Sequence, residues 1–276
     1  SVNLNQVRPE LMGPGNAQLR RPFPQFGNVS MVNPTWGNSS YHALNVKLEK
    51  RFSHGLNFLM NYTWSKSIDD VGSIESGSVA RGPQNYYNRT PEKSLSGNDR
   101  RHRLVWSSVY EFPVGRGRRW LNRGVPATLL GGWNVGSILA LGNGFPLGMT
   151  VQVDTLNAFA GGQRVDVLRN PALPESQRTL ARWFDPSAVA APPPYTFGNS
   201  SRAILTGPGS VGLDLSILKN HRWGERYTLQ FRLEAFNLPN HPNFSAPGLS
   251  LGAPSFGVIN SASDGRTLQL GLKFEF

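Results

Sequence analysis

The chain of 276 residues contains no cysteine. That excludes a disulfide framework, a thiolate metal site and a cysteine nucleophile. Charge is sparse, at 16% of residues, where an ordinary soluble chain carries about a quarter. Acidic residues are the scarcer kind: 17 Asp and Glu stand against 28 Lys and Arg, a net charge of +11. No apolar run approaches the ~18 residues that a membrane-spanning helix needs. A hydrophobic content of 38% nevertheless places the chain outside the disordered class. Ser1 is not followed by a basic segment and an apolar core, so no signal peptide opens the sequence. That is expected of a processed chain or of a piece of something longer. Glycine (30) and proline (21) are plentiful. The composition describes a β-rich chain with long turn-forming loops.

The last ten residues alternate without a slip. Leu268, Leu270, Leu272, Phe274 and Phe276 fall on one face, and Thr267, Gln269, Gly271, Lys273 and Glu275 on the other. A strand has a two-residue period, so this one is apolar on one side and polar on the other. As the edge of a soluble sandwich it would be an aggregation hazard. A closed barrel removes the edge. We read it as the closing strand of an outer-membrane barrel, with the five apolar residues facing lipid.

The same alternation recurs upstream. Candidate strands fall at 25–33, 40–53, 56–67, 102–113, 132–143, 210–220, 226–237 and 266–276. The first is short and weak. Residues 102–113 are less clean, because Val105 and Val109 oppose the face that holds Leu104, Trp106, Tyr110 and Phe112. Ser53-His54-Gly55 reads as a tight hairpin turn. Residues 1–24 read as a loop or an incomplete strand.

A soluble sandwich turns its apolar faces inward, whereas a membrane barrel turns them to lipid. Period alone does not separate the two, but loop length helps. The connections alternate: 53–55, 114–130 and 221–225 are short to middling, and 68–101, 144–209 and 238–265 are long. Outer-membrane barrels have short periplasmic turns and long external loops. With the closing strand ending in the periplasm, every connection falls on its expected side. Aromatic residues near strand ends (Phe52, Tyr110, Phe112, Trp120, Trp133, Trp223, Tyr227 and Phe276) suit an interfacial girdle. Loop 144–209 holds eight prolines and is given no structure of its own in this reading.

Several stretches carry a resemblance. They are residues 37–44 (Gly-Asn-Ser-Ser-Tyr-His-Ala-Leu), 50–56 (Lys-Arg-Phe-Ser-His-Gly-Leu), 61–67 (Asn-Tyr-Thr-Trp-Ser-Lys-Ser), 99–103 (Asp-Arg-Arg-His-Arg), 131–133 (Gly-Gly-Trp) and 231–244, which opens Phe-Arg-Leu-Glu-Ala-Phe-Asn. In order and spacing they resemble the C-terminal β-barrel of TonB-dependent receptors. The Oar-like subgroup, with its carboxypeptidase-regulatory-like N-terminal domain, is the best likeness. The resemblance covers about residues 20–276 and is weak in loop 144–209. It implies a large outer-membrane barrel of about 22 strands, plugged by an N-terminal domain. It also implies uptake or binding of a substrate driven by TonB, ExbB and ExbD. No TonB box or plug is present here, so the resemblance implies a C-terminal fragment, and no energy-coupling residue carries over. The fold class expected is thus all-β: an antiparallel transmembrane outer-membrane segment of about eight strands, from a larger barrel. The partners expected are outer-membrane lipid and the barrel assembly machinery, reached through the closing strand.

The sequence offers no catalytic constellation, cofactor motif or metal set. His42, His54, His102, His221 and His241 share no ligand spacing. Asp69-Asp70 reads as a solvated loop start rather than a cation site. Gly115-Arg116-Gly117-Arg118-Arg119 reads as solvated or near anionic headgroups rather than as a nucleic-acid patch. Lumen-facing Lys47, Glu49, Arg51, Asp214, Arg232, Glu234 and Lys273 are expected to pair across strands. By location alone, Tyr86, Tyr87, Arg89, Arg164, Trp183 and Tyr195 are the candidate ligand contacts in external loops. Two other readings stay open: a small self-contained barrel acting as adhesin or surface structure, and a soluble basic β protein binding nucleic acid or polysaccharide. The charge is spread over loops and turns, which argues against nucleic acid.

Overall fold

The computed structural model describes residues 2–31, 35–71, 82–224 and 226–276. Seven long strands make one antiparallel sheet. They are β1 (Ser39–Ser53), β2 (Leu56–Asp69), β3 (His102–Glu111), β4 (Trp133–Gly142), β5 (Ser210–Trp223), β6 (Tyr227–Phe236) and β7 (Thr267–Glu275). They lie side by side in chain order, with β1 and β7 at the two edges, and the sheet does not close on itself. The two-residue strand Ser94–Leu95 adds to the end of β2. Residues 25–33 do not join this sheet as an eighth long strand. Ser30–Met31 pairs with Val2–Asn3 instead, and Val32 and Asn33 lie outside the described residues. The physical reason is local. The buried amide of Asn5 donates to the carbonyls of Phe23, Phe26 and Gly27, which holds that segment in a turn.

Register decides what the alternation means. Leu44 sits opposite Trp64, Met60 opposite Trp106, Trp106 opposite Leu139, Leu139 opposite Leu213, Ile217 opposite Leu233, and Leu233 opposite Leu270. One apolar face therefore runs unbroken across all seven strands. A one-residue slip anywhere would have turned part of it over. Among the described residues no second sheet covers this face: Leu268, Leu270 and Leu272 are 63–72% exposed, and Leu44 and Trp64 about half exposed. Phe276 follows β7 and stacks on Phe274.

The opposite face carries Asn45, Lys47, Thr63, Asn134, Asp214, Asn220, Gln230, Arg232 and Glu234. Its charges pair along strands rather than across them. Lys47 meets Glu49 at 2.8 Å, Arg232 meets Glu234 at 3.8 Å, and Lys273 meets Glu275 at 2.5 Å. The ladder explains the departure from cross-strand pairing. Arg232 stands opposite Leu218 and Gly271, and Glu49 opposite Leu59, so the nearest carboxylate is two residues along the same strand. Asp214 instead accepts the backbone N–H of Asn237 at 2.9 Å.

One end of the sheet is tight. His54 and Gly55 turn the first hairpin with φ of 53° and 79°, the left-handed pair that a two-residue turn between twisted strands requires. Between β3 and β4 lies a short helix, α1 (Gly124–Leu130), within the stretch read from sequence as an Arg-rich connection. Arg118 of that stretch pairs with Glu111 at 2.7 Å. Aromatic rings gather at this end: Tyr110 against Phe112, Trp133 against Phe231, and Tyr227 against Phe274.

The other end bears the three long connections, and their described residues are folded. Loop 144–209 closes around Leu147, Met149, Val165, Phe184, Val189 and Leu205. Short ladders brace it: Pro146–Leu147 with Leu205–Thr206, Asp166–Val167 with Val189–Ala190, and Thr150–Val151 with Ser250–Leu251 of the third long connection. Residues 2–31 dock onto it through Val7 and Ala17, which pack with Leu156 and Ala158. Among the described residues, every buried hydrophobic side chain except Ala127 and Ala235 lies in this cap. The molecule keeps its dry core in its loops and leaves its sheet bare.

Candidate functional site

Two buried ion pairs brace the cap, one to the sheet and one within the cap. Asp69, at the end of β2, meets Arg202, and Glu92 meets Arg164. All four side chains are nearly or fully inaccessible to solvent. Gln84 ties the second pair in: its amide donates to the carbonyl of Gly198, and its oxygen accepts the N–H of Arg164. Burial pushes the Glu92 carboxyl above its ordinary range, against the pull of Arg164. Burial likewise lowers Arg164, against the pull of Glu92. Loops 68–101 and 144–209 are thereby joined into one body.

Beside this junction lies a cavity of about 470 Å³, walled by Val2, Asn3, Gln6, Asn28, Ser30 and residues 82–83 and 159–162. Among the described residues its lining has no ionisable side chain. Asn3 spans it, donating to Asn28 Oδ1 at 3.1 Å and to the carbonyl of Phe159 at 2.9 Å. Gln6 accepts the Tyr86 N–H at 3.0 Å through Oε1, while its buried Nε2 has no hydrogen-bond partner. Phe159 holds an unusual backbone, with φ of 54°, and its ring is covered from behind by the Arg21 guanidinium at 3.9 Å. Arg21 is itself fixed by the Asn5 carbonyl at 2.7 Å and by Gln18 at 2.9 Å. Burial lowers its pKa. Amide donors and acceptors, backbone carbonyls and one aromatic face suit a polar ligand.

The six loop residues expected as ligand contacts divide. Tyr86 and Tyr87 stand edge to face at 5.3 Å, and both bond Gln6, Tyr87 through its hydroxyl to the Gln6 carbonyl at 2.8 Å. They support the cavity wall. Arg164 is buried against Glu92 and faces no solvent; its position in a loop hid that it belongs to the cap's interior. Arg89 stacks on Trp36 at 3.7 Å and donates to its carbonyl. Trp183 packs on the loop core and donates to the Thr206 carbonyl. Tyr195 has φ of 64° and donates its N–H to the Thr155 carbonyl. The structure does not bring these last three to the cavity. The residues that do line it, Asn3, Gln6, Asn28 and Phe159, carried no signal in the sequence, because isolated amides and one Phe in a loop have no pattern. Asp69 is consumed by Arg202, and Asp70 by the amides of Asn38 at 2.7 and 3.1 Å. Among the described residues no group of His, Asp or Glu is placed to hold a metal.

A single antiparallel sheet with one bare apolar face, one polar face, short connections at one end and a folded cap at the other defines a membrane β-barrel protein. A family model described as the outer membrane beta barrel domain matches residues 1–269. The chain belongs to that family, and its place is the bacterial outer membrane. A search of curated proteins gives no match.

Proposed function

We propose that this chain is the C-terminal part of an outer-membrane receptor or transporter of the TonB-dependent, Oar-like kind, whose cap takes up a polar ligand from outside. The observation that carries the reading is the cap itself. The described residues of the three external connections and residues 2–31 fold into one body with its own core, two buried ion pairs and a cavity of about 470 Å³. A chain that served only to anchor would not need ordered, buried-charge loops of this size. The two unpaired sheet edges support a wide barrel with further strands. In this reading a plug domain and TonB, ExbB and ExbD act with parts of the protein outside the seven strands. The barrel assembly machinery engages β7, and the protein binds rather than catalyses. Nucleic acid is not a partner.

The test is an immunoblot of fractionated cells probed for the C-terminal strand. A band several times 30.4 kDa in the outer membrane is the expected result. A band near 30.4 kDa there would replace the receptor by a small self-contained barrel serving as adhesin or surface structure.

A further inference from the structure

A second concavity lies outside the cap, on the apolar face of the sheet where it meets the loop end. This groove of about 320 Å³ is lined by His42, Leu44, Trp64, Lys66 and Arg101 together with Ala43 and Ser65. Register fixes its height. Leu44 pairs with Trp64, and His42 pairs with Lys66 one step further toward the cap. The floor is therefore apolar and lipid-facing, and the cations stand at the rim where strands leave the membrane. Arg101 is held there by its carbonyl, which accepts the Ser65 N–H at 3.0 Å.

Among the described residues the charge at this rim is uncompensated. On the polar face Lys47, Arg232 and Lys273 each have a carboxylate. At the turn end, Lys219 lies over Trp133 at 5.1 Å and donates to the Leu129 carbonyl. The carboxylates at the cap end of β2 are engaged elsewhere: Asp69 by Arg202, Asp70 by Asn38, and Asp99 by the Ser67 N–H at 2.6 Å. Among the described residues none pairs with Lys66 or Arg101, both exposed on the outer wall.

We propose that this groove holds one phosphorylated lipid of the outer leaflet, with an acyl chain on Leu44 and Trp64 and a headgroup phosphate between Lys66 and Arg101. An unpaired cation beside hydrocarbon is costly, and the long Lys and Arg stems reach toward the interface where a phosphate neutralises them. The aromatic ring at the same height supplies an amphipathic floor. The site is on the outer wall, so it rests on the membrane placement and is independent of what the cap takes up.

The test uses the complete protein, purified from outer membranes and exchanged into phosphatidylcholine nanodiscs. Binding of bisphosphorylated lipid A is followed by native mass spectrometry, with its dephosphorylated form as comparison. The wild type is expected to retain lipid A in preference to the dephosphorylated form. The K66A/R101A variant is expected to bind about thirty-fold more weakly, each cation near an anionic surface contributing roughly five-fold. K66R, which keeps the charge, is expected to bind as the wild type does. K50A, which removes a cation from the same face at the turn end, is expected to leave it unchanged. Equal binding by wild type and K66A/R101A would overturn the proposal. So would equal retention of both lipids, or full displacement by millimolar inorganic phosphate, which would make this a free-anion site. Heat-dependent gel migration of each variant identifies any that fails to fold, and Lys66→Gln alone then serves in place of the double variant.

Discussion

At the residue scale the buried pairs decide whether the cap holds together. Each ion was taken out of water at considerable cost, and only its partner offsets that cost. Removing one partner leaves the other charge buried alone. Glu92→Ala is therefore expected to destabilise the cap by about 3–5 kcal/mol, read as faster proteolysis of loop 144–209 in the folded barrel. The double variant Glu92→Leu with Arg164→Met exchanges the pair for apolar groups of similar size, and protease resistance is expected to return. If the single and double variants are cleaved equally fast, the pair does not act as described. A partly buried carboxylate provides a second case. The Asp185 carboxyl is held at about 2, first by the Ser187 hydroxyl and then by Arg169, at 2.9 Å. Its folded pKa is depressed, so the stability it contributes is present above the ordinary value near 3.9 and is lost as pH falls through the folded value. Cap protease resistance in the wild type should weaken between about pH 4 and pH 2 more than in Asp185→Asn, with an acid-stable protease as the probe.

At the scale of elements, the strands depend on which face meets lipid. Leu270 lies mid-strand in β7, opposite Leu233 on the apolar face, and Gln269 beside it lies opposite Glu234 on the polar one. An arginine at a lipid-facing midplane position costs roughly 2–4 kcal/mol. Leu270→Arg is expected to reduce folding into bilayers by that amount, and Gln269→Arg to leave it nearly unchanged. Equal effects would mean that the two faces are not distinguished by lipid and water. Strands of this kind were legible in the sequence, because a two-residue period survives without knowledge of neighbours. Leu44 through Leu48 and Leu268 through Phe276 declared their faces directly. The alignment of those faces across the sheet was not legible, since register is set between strands. The cap was hidden for a related reason. Leu147, Val165, Phe184 and Leu205 have no period, and they become a core only when the chain returns from 58 residues away, from Leu147 to Leu205. Residues 25–33 misled because a brief alternation resembles a strand until Asn5 claims its carbonyls.

At the scale of the whole molecule, strand direction limits how the barrel can close. Seven strands in an antiparallel meander leave β1 and β7 running the same way, each from the cap end to the turn end. Outer-membrane barrels of a single bacterial chain close antiparallel, with an even strand number. The two edges therefore cannot seal against each other in that pattern. In the proposed receptor an odd number of further strands stands between them, which agrees with a lumen wide enough for the paired charges of the polar face. The lack of cysteine in these 276 residues leaves their strands free of competing thiols in a cross-linking test. In the complete protein assembled in the outer membrane, cysteines at Ser216 and Glu234, opposed across β5 and β6, should form a disulfide under mild oxidant. Cysteines at Asn45 on β1 and Gln269 on β7 should not, nor should a short bis-maleimide bridge them. Efficient linkage of the second pair would show that the two edges are neighbours and that the barrel is small. It would also remove the width on which a plugged receptor depends, leaving the cap and its cavity as the surface of a self-contained barrel.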